Sequence, residues 1–186
     1  MMPLRRLQKN NAYRIRLMER YKTAVLVLFS CIAVNMFAQS IIGSKIPATI
    51  IKTVDGSPVS TSKFSNNGKP IVIDFWATWC VPCVKELNAI ADKYEYWKKE
   101  TGVKIIIVSV DTVHNTKTVS SFIRNKGWFY DVYLDQDAAL QKAMLVMDTP
   151  CTFVVDGTGK VVWMHNEYQD GDEDKVFEEL KKITAR

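Results

Sequence analysis

"KPIVIDFWATWCVPC", residues 69–83, passes from an apolar, β-branched run straight into two cysteines two residues apart, with a proline just before the second. Residues 69–76 have the length and composition of a buried strand. From Val84 the period changes, and Leu87, Ile90, Ala91, Tyr94 and Trp97 recur at helical spacing until Gly102 closes the helix. The cysteine pair therefore lies where a buried strand gives way to a helix.

Working outward, "VKIIIVSVD" (103–111) is a second strand, apolar on both faces as in a sheet covered on both sides. Val119, Phe122 and Ile123 mark a helix ending near Gly127, and Leu140, Ala143 and Met144 mark another. "CTFVVD" (151–156) and "KVVWMHN" (160–166) form a hairpin through "GTG". A last helix runs from about Asp172 to Thr184, with Asp170 or Asp172 available as its cap. On the N-terminal side, residues 40–67 hold short extended pieces, with a turn in "VDGSPVS" (54–60). The pattern is α/β, a central sheet sandwiched by helices.

The pair can clip the fold, hold a metal or perform redox chemistry. The helix start favours a thiolate at Cys80 through its free N–H groups and dipole. Cys83 lies one turn further in, within disulfide reach. Position thus makes Cys80 the exposed nucleophile and Cys83 the residue that resolves the mixed disulfide. Pro82 removes a backbone donor near the thiolate and stiffens the turn. A structural clip is the alternative. Zinc wants a second cysteine pair or two histidines at ligand spacing, whereas only His114 and His165 exist, far apart in sequence. No metal and no cofactor is expected. Peroxidase chemistry on a related scaffold wants Thr or Ser three residues before the reactive cysteine, and Ala77 stands there.

Charge and cysteine usage bound the setting. The 186 residues include 25 Lys and Arg against 20 Asp and Glu. Seven of the basic residues and one acid, Glu19, fall in residues 1–38, leaving 18 basic and 19 acidic residues in the rest. The basicity belongs to the leader, so no nucleic-acid partner is expected. That leader runs from a basic stretch into an apolar segment, Ala24–Ala38, of 15 residues. Its length suits a signal-peptide core better than a membrane span of about 20 residues. Residues 1–38 thus read as a signal peptide or an N-terminal anchor, and residues 40–186 as the folded domain. Cleavage after Ala38, retention as an anchor and lipid attachment at Cys31 all place the domain outside the cytoplasm, and Met1, Met2 and Met18 are all candidate starts. Only Cys80, Cys83 and Cys151 then remain, an odd number and too few for a disulfide scaffold.

"VIDFWATWCVPC" closely resembles the active-site stretch of thioredoxin-fold proteins. The chain from about Gly43 to Lys182 resembles the exported TlpA/ResA-type thiol-disulfide oxidoreductases, with "IGSKIPATIIKTVDGSPV" before the motif and "DTPCTFVVDGTGKVV" after it. The resemblance implies a thioredoxin-like fold: a central mixed β-sheet with helices on both faces, an N-terminal β extension, and a strand–helix insertion (about 111–146) after the central strand.

It also implies roles. Pro150 matches the family's cis-proline, beside which the Thr149 backbone pairs with an extended substrate. Asp74 matches the buried acid that exchanges a proton with the inner cysteine, and burial inside an apolar strand raises a carboxyl's pKa. A salt-bridged structural acid is the other reading. Glu86 matches the helix glutamate of ResA-type proteins, although a lone Glu on an amphipathic helix also suits solvent. ResA-type members commonly carry an amide where Asp74 stands, so the chain mixes two patterns. Trp79 shields the site and meets partners, while Trp76 packs. Cys151 replaces the usual Thr after the proline, either as a redox side-branch near the disulfide or as a small buried strand residue. Met147, Asp148 and Thr149 stand where relatives often carry Gly.

The function implied is reduction of disulfides in exported proteins, in the periplasm or on the outer side of the cytoplasmic membrane, as part of cell redox homeostasis. A membrane thiol-transfer protein supplies electrons, and cytochrome c maturation is one role. The chain touches membrane only through an uncleaved leader. A disulfide oxidase or isomerase, and a peptide-binding module with a permanently closed disulfide, are the alternatives.

Overall fold

The computed structural model describes residues 41–185, so the expectations for the leader, including Cys31 and the candidate starts, lie outside the described residues. The strands are β1 (Ile50–Thr53), β2 (Pro58–Ser60), β3 (Ile71–Trp76), β4 (Lys104–Ser109), β5 (Asp131–Leu134), β6 (Cys151–Val155) and β7 (Val161–Asn166). The helices are α1 (Val81–Thr101), α2 (Thr116–Lys126), α3 (Ala139–Ala143) and α4 (Asp172–Thr184). Among the described residues, no helix is long and apolar enough to cross a membrane.

All seven strands join one mixed sheet in the order β2-β1-β5-β4-β3-β6-β7. The β3–β4 and β4–β5 pairs are parallel, and the β3–β6, β6–β7, β1–β5 and β1–β2 pairs are antiparallel. The N-terminal hairpin thus extends one edge through β5. "DVYL" is too short and too mixed in polarity for periodicity to locate that strand in advance.

Strand alternation sorts the core onto two faces. Val72 and Trp76 of β3, with Ile105 and Ile107 of β4, pack with Leu87, Ile90 and Trp97 of α1, Val119 of α2, and Val176 and Leu180 of α4. Ile71, Ile73 and Phe75, with Ile106 and Val108, pack on the other face with Leu140 of α3, Met144 and Phe153. This two-sided burial explains the continuous apolar runs of β3 and β4. It also leaves the even-numbered Asp74 on the face that α1 covers.

α1 begins at Cys80, its N-cap, with Pro82 in the first turn, where a missing N–H costs nothing. It ends at Gly102, whose φ of 68° lies in the left-handed region that suits glycine. α4 docks on α1 through the stacked rings of Trp97 and Phe177 and through Lys93, which bonds Glu173 and Asp174. Neither Asp170 nor Asp172 is the cap of α4, contrary to expectation. Gly171 occupies that position without a side-chain cap. Asp172 is instead the first helical residue, accepting from the Gln169 amide at 2.9 Å and lying 3.1 Å from His165 Nε2.

Candidate active site

The end of β3 and the start of α1 place Cys80 and Cys83 as a disulfide, their Cα atoms 5.3 Å apart. The amide of Cys83 donates to Cys80 Sγ at 3.3 Å. Helix geometry makes this possible, because the N-cap side chain faces the first unpaired N–H groups. Cys80, expected as an exposed thiol, is only 5% accessible, and Cys83 is fully covered. Cys80 remains the more accessible of the two.

The chain before Cys80 is pinned from below. Asp111, buried just beyond β4, accepts from the Thr78 amide at 2.9 Å, the Thr78 hydroxyl at 2.7 Å and the Ser109 hydroxyl at 2.9 Å. Cys80 N–H donates to the Ala77 carbonyl at 3.1 Å. Trp76 is buried edge-on against Trp128, whereas Trp79 is 67% exposed.

Facing the disulfide, the Thr149–Pro150 peptide bond is cis, and the Thr149 carbonyl oxygen lies 3.6 Å from Cys80 Sγ. In the reduced form a Cys80 thiol at this position has an acceptor ready. Exposed apolar side chains, Trp79 and Val81, flank Cys80 in the chain. A crevice beside it is lined by Val81, Pro82, Lys85, Tyr168 and Gln169. Exposed apolar groups around a reactive bond are the surface an extended polypeptide covers.

Beneath the pair, Asp74 and Glu86 are both buried, and one residue links them. The Thr152 hydroxyl of β6 lies 2.8 Å from Asp74 Oδ2 and 2.7 Å from Glu86 Oε1. Burial holds the Asp74 carboxyl well above its ordinary range, the Glu86 charge adds to this, and the Thr152 hydrogen bond opposes it. Burial likewise raises Glu86 to about 7, with Thr152 opposing and the charges of Asp172 and Glu173 adding a smaller push upward.

Of the two readings of Cys151, its surroundings match the small buried strand residue. The alternation that turns Thr152 toward Asp74 turns Cys151 to the other sheet face, among Phe75, Phe153 and Met144. Burial raises its thiol pKa far above the ordinary value.

The sequence thus named Cys80, Cys83, Thr149, Pro150, Asp74 and Glu86, and the fold brings them around one end of α1. It missed Thr152 and Asp111. Thr152 was discoverable, since a strand starting after Pro150 and pairing with β3 turns every second residue toward Asp74. Asp111 had only the weak signal of an acid ending an apolar run.

Residues 42–164 match the AhpC/TSA family. The chain belongs to this family. Among its relatives, the thiol-disulfide oxidoreductase ResA of Bacillus thuringiensis subsp. konkukian is 30% identical over 143 residues, covering 77% of this chain and 79% of that protein. ResA of Bacillus subtilis is 33% identical over 120 residues, and the match spans 64% of each chain. An uncharacterized thioredoxin-like protein from Porphyromonas gingivalis has a solution structure that is 39% identical, with a TM-score of 0.69, covering 75% of this chain and 92% of that one. This AhpC/TSA protein is therefore a thioredoxin-like oxidoreductase of the ResA type.

Proposed function

We propose that this protein is an extracytoplasmic dithiol reductant that opens disulfides in exported proteins through Cys80 and Cys83. The observation that carries the reading is the Cys80–Cys83 disulfide at the N-terminus of α1, set against the Thr149 carbonyl beside Pro150. Helix-terminal N–H groups stabilise negative charge, so reduced Cys80 is held ready as the attacking thiolate.

In the cycle, the Cys80 thiolate attacks one sulfur of a client disulfide and releases the other as a client thiolate. Cys83 then loses its proton and attacks Cys80 Sγ, freeing the second client sulfur and leaving the enzyme oxidised. Thr149 offers backbone pairing to the client strand, Trp79 and Pro82 contact it, and Asp74 and Glu86 manage the Cys83 proton. A membrane thiol-transfer protein returns two electrons. Apocytochromes, whose cysteines must be thiols before haem attachment, are one client class, which would place the protein in cytochrome c maturation. The basic, apolar leader supports export.

The test is a pair of variants. Cys83→Ser should accumulate client proteins as mixed disulfides on Cys80, released by dithiothreitol and identified by mass spectrometry. Cys80→Ser should abolish both trapping and turnover. Undiminished binding of partners by Cys80→Ser, with no turnover by the unaltered protein, would instead favour a peptide-binding module.

A further inference from the structure

A threonine hydroxyl carries one hydrogen. Thr152 Oγ1 nevertheless lies within hydrogen-bond distance of two carboxyl oxygens, Asp74 Oδ2 at 2.8 Å and Glu86 Oε1 at 2.7 Å. It can donate to only one of them. The second contact needs its hydrogen from the carboxyl, because two bare oxygen lone pairs at that separation repel. The arrangement as it stands therefore contains one carboxylic acid and one carboxylate, joined through a hydroxyl that donates to one and accepts from the other.

We propose that Thr152 is a positioning residue that makes Asp74 and Glu86 bind a single proton between them, so that the joined pair, not either acid alone, serves Cys83. The inference rests on the proposed redox function only in that last clause. Geometry places the pair on the inner cysteine's side of the sheet. Asp74 alternates with Val72 and Trp76, which share a cluster with Cys80 and Cys83. Glu86 follows Cys83 by three residues in α1, one turn along the same face.

A hydroxyl between two carboxyls is also a conductor. When Glu86 passes its hydrogen to Thr152 Oγ1, the threonine passes its own to Asp74, and the acid and the carboxylate exchange places without water entering. During resolution of a mixed disulfide the bookkeeping closes. Cys83 S–H gives its proton to the carboxylate of the pair, leaving two carboxylic acids. The Cys83 sulfur bonds to Cys80 Sγ, the Cys80–client bond breaks, and the client sulfur leaves as a thiolate. One proton then passes from the pair to that thiolate, and the pair returns to one carboxylic acid and one carboxylate. The electron pair comes from the dithiol and ends on the client.

The surroundings leave this proton to the pair. Tyr130, near both acids, commits its hydroxyl to the Leu87 carbonyl at 2.7 Å. Asp172 and Glu173 of α4 press on Glu86 as charges, but Asp172 is occupied by His165, Lys175 and the Gln169 amide, and Glu173 by Lys93 and Tyr168. Cys151 projects from the other sheet face. Tyr94 and Asp92 of α1 act on Tyr130. Among the described residues, none of these hydrogen bonds to Asp74 or Glu86.

The test follows the side-chain carboxyl carbons of Asp74 and Glu86 by NMR against pH in the oxidised, full-length protein, with Thr152→Val and Thr152→Ser alongside. In the unaltered protein both carbons should move in both of two titration steps, with one proton held by the pair in the pH range between the steps. Thr152→Val should split these into separate titrations and displace the loss of the first proton upward, because the carboxylate of the singly protonated pair loses its donor, and Thr152→Ser should restore the shared pattern. Turnover at pH 7 should fall about tenfold in Thr152→Val, a small part of what general acid–base catalysis supplies, and recover in Thr152→Ser. One carbon accounting alone for each step, or a Thr152→Val titration identical to the unaltered protein's, overturns the inference. Should Thr152→Val not fold, the titration of the unaltered protein decides alone. Should the unaltered protein fail to reduce any disulfide, the proposed function falls while this titration still decides the proton sharing.

Discussion

The amide of Cys83 points at the sulfur of Cys80 across 3.3 Å, so the residue that closes the disulfide also supplies the nearest donor to the sulfur that opens a client's. An N-cap usually accepts such a bond through oxygen. Here sulfur takes that place, and when the disulfide is reduced the same donor faces a thiolate. Alkylation of reduced protein by iodoacetamide should therefore modify Cys80 first, with Cys83 protected by complete burial. Peptide mapping after brief treatment reads the order, and preferential labelling of Cys83 would reverse the assignment of roles.

Asp111 gathers three donors under the active-site loop. Asp111→Ala leaves the Thr78 amide without its carboxylate acceptor and should cost about 2–4 kcal/mol of stability, by urea unfolding of the oxidised protein. Disulfide exchange should slow as well, since Thr78 lies two residues from Cys80. A loss below about 0.5 kcal/mol would mean the loop does not depend on this anchor.

Glu86 gives stability a pH dependence of definite sign. Its folded pKa, about 7, lies above its ordinary value of 4.5, so the folded chain binds more protons than the unfolded chain between those limits. Stability is then fully present below the unfolded value and falls as pH rises toward the folded one. Glu86→Gln should remove Glu86's part of that decline and leave the part that buried Asp74 contributes. Relative to the unaltered protein it should gain roughly 2–3 kcal/mol between pH 4.5 and pH 8 in denaturant titrations. Parallel curves for the two proteins would show that Glu86 is ionised throughout.

The two tryptophans of the motif should separate function from stability. Trp79 is 67% exposed, so Trp79→Ala should change stability by less than about 0.5 kcal/mol while lowering kcat/KM toward protein disulfides about tenfold, chiefly through KM. Trp76 is fully buried against Phe122 and Trp128, and Trp76→Ala should cost about 3–5 kcal/mol. Equal effects of the two substitutions on folding would contradict the assignment of Trp79 to client contact.

The sequence made the scaffold of the site legible because that scaffold rests on strong local patterns. The two-sided apolar runs of β3 and β4 announced central strands, and the change of period after Val84 located α1 and its stop at Gly102. What escaped depended on pairing across the sheet. β5 is four residues of mixed polarity that become a strand only between β1 and β4. The link from Asp74 to Glu86 is invisible until β6 lies antiparallel to β3 and puts Thr152 opposite Asp74. The same register carries Cys151 away from the disulfide face, which proximity in sequence to Pro150 did not suggest. The capping expectation for α4 failed for a local reason. His165, Lys175 and the Gln169 amide engage Asp172 after the helix has begun, with Gly171 at the cap.

The central claim, that Cys80 and Cys83 deliver electrons to client disulfides, is tested most directly by the reduction potential of the pair. Tryptophan fluorescence in graded dithiothreitol buffers, with Cys151 replaced by serine, reads it. For a dithiol reductant the potential should be about −270 mV or lower. A value near about −120 mV would contradict it, because a pair that oxidising takes electrons from client thiols instead of supplying them.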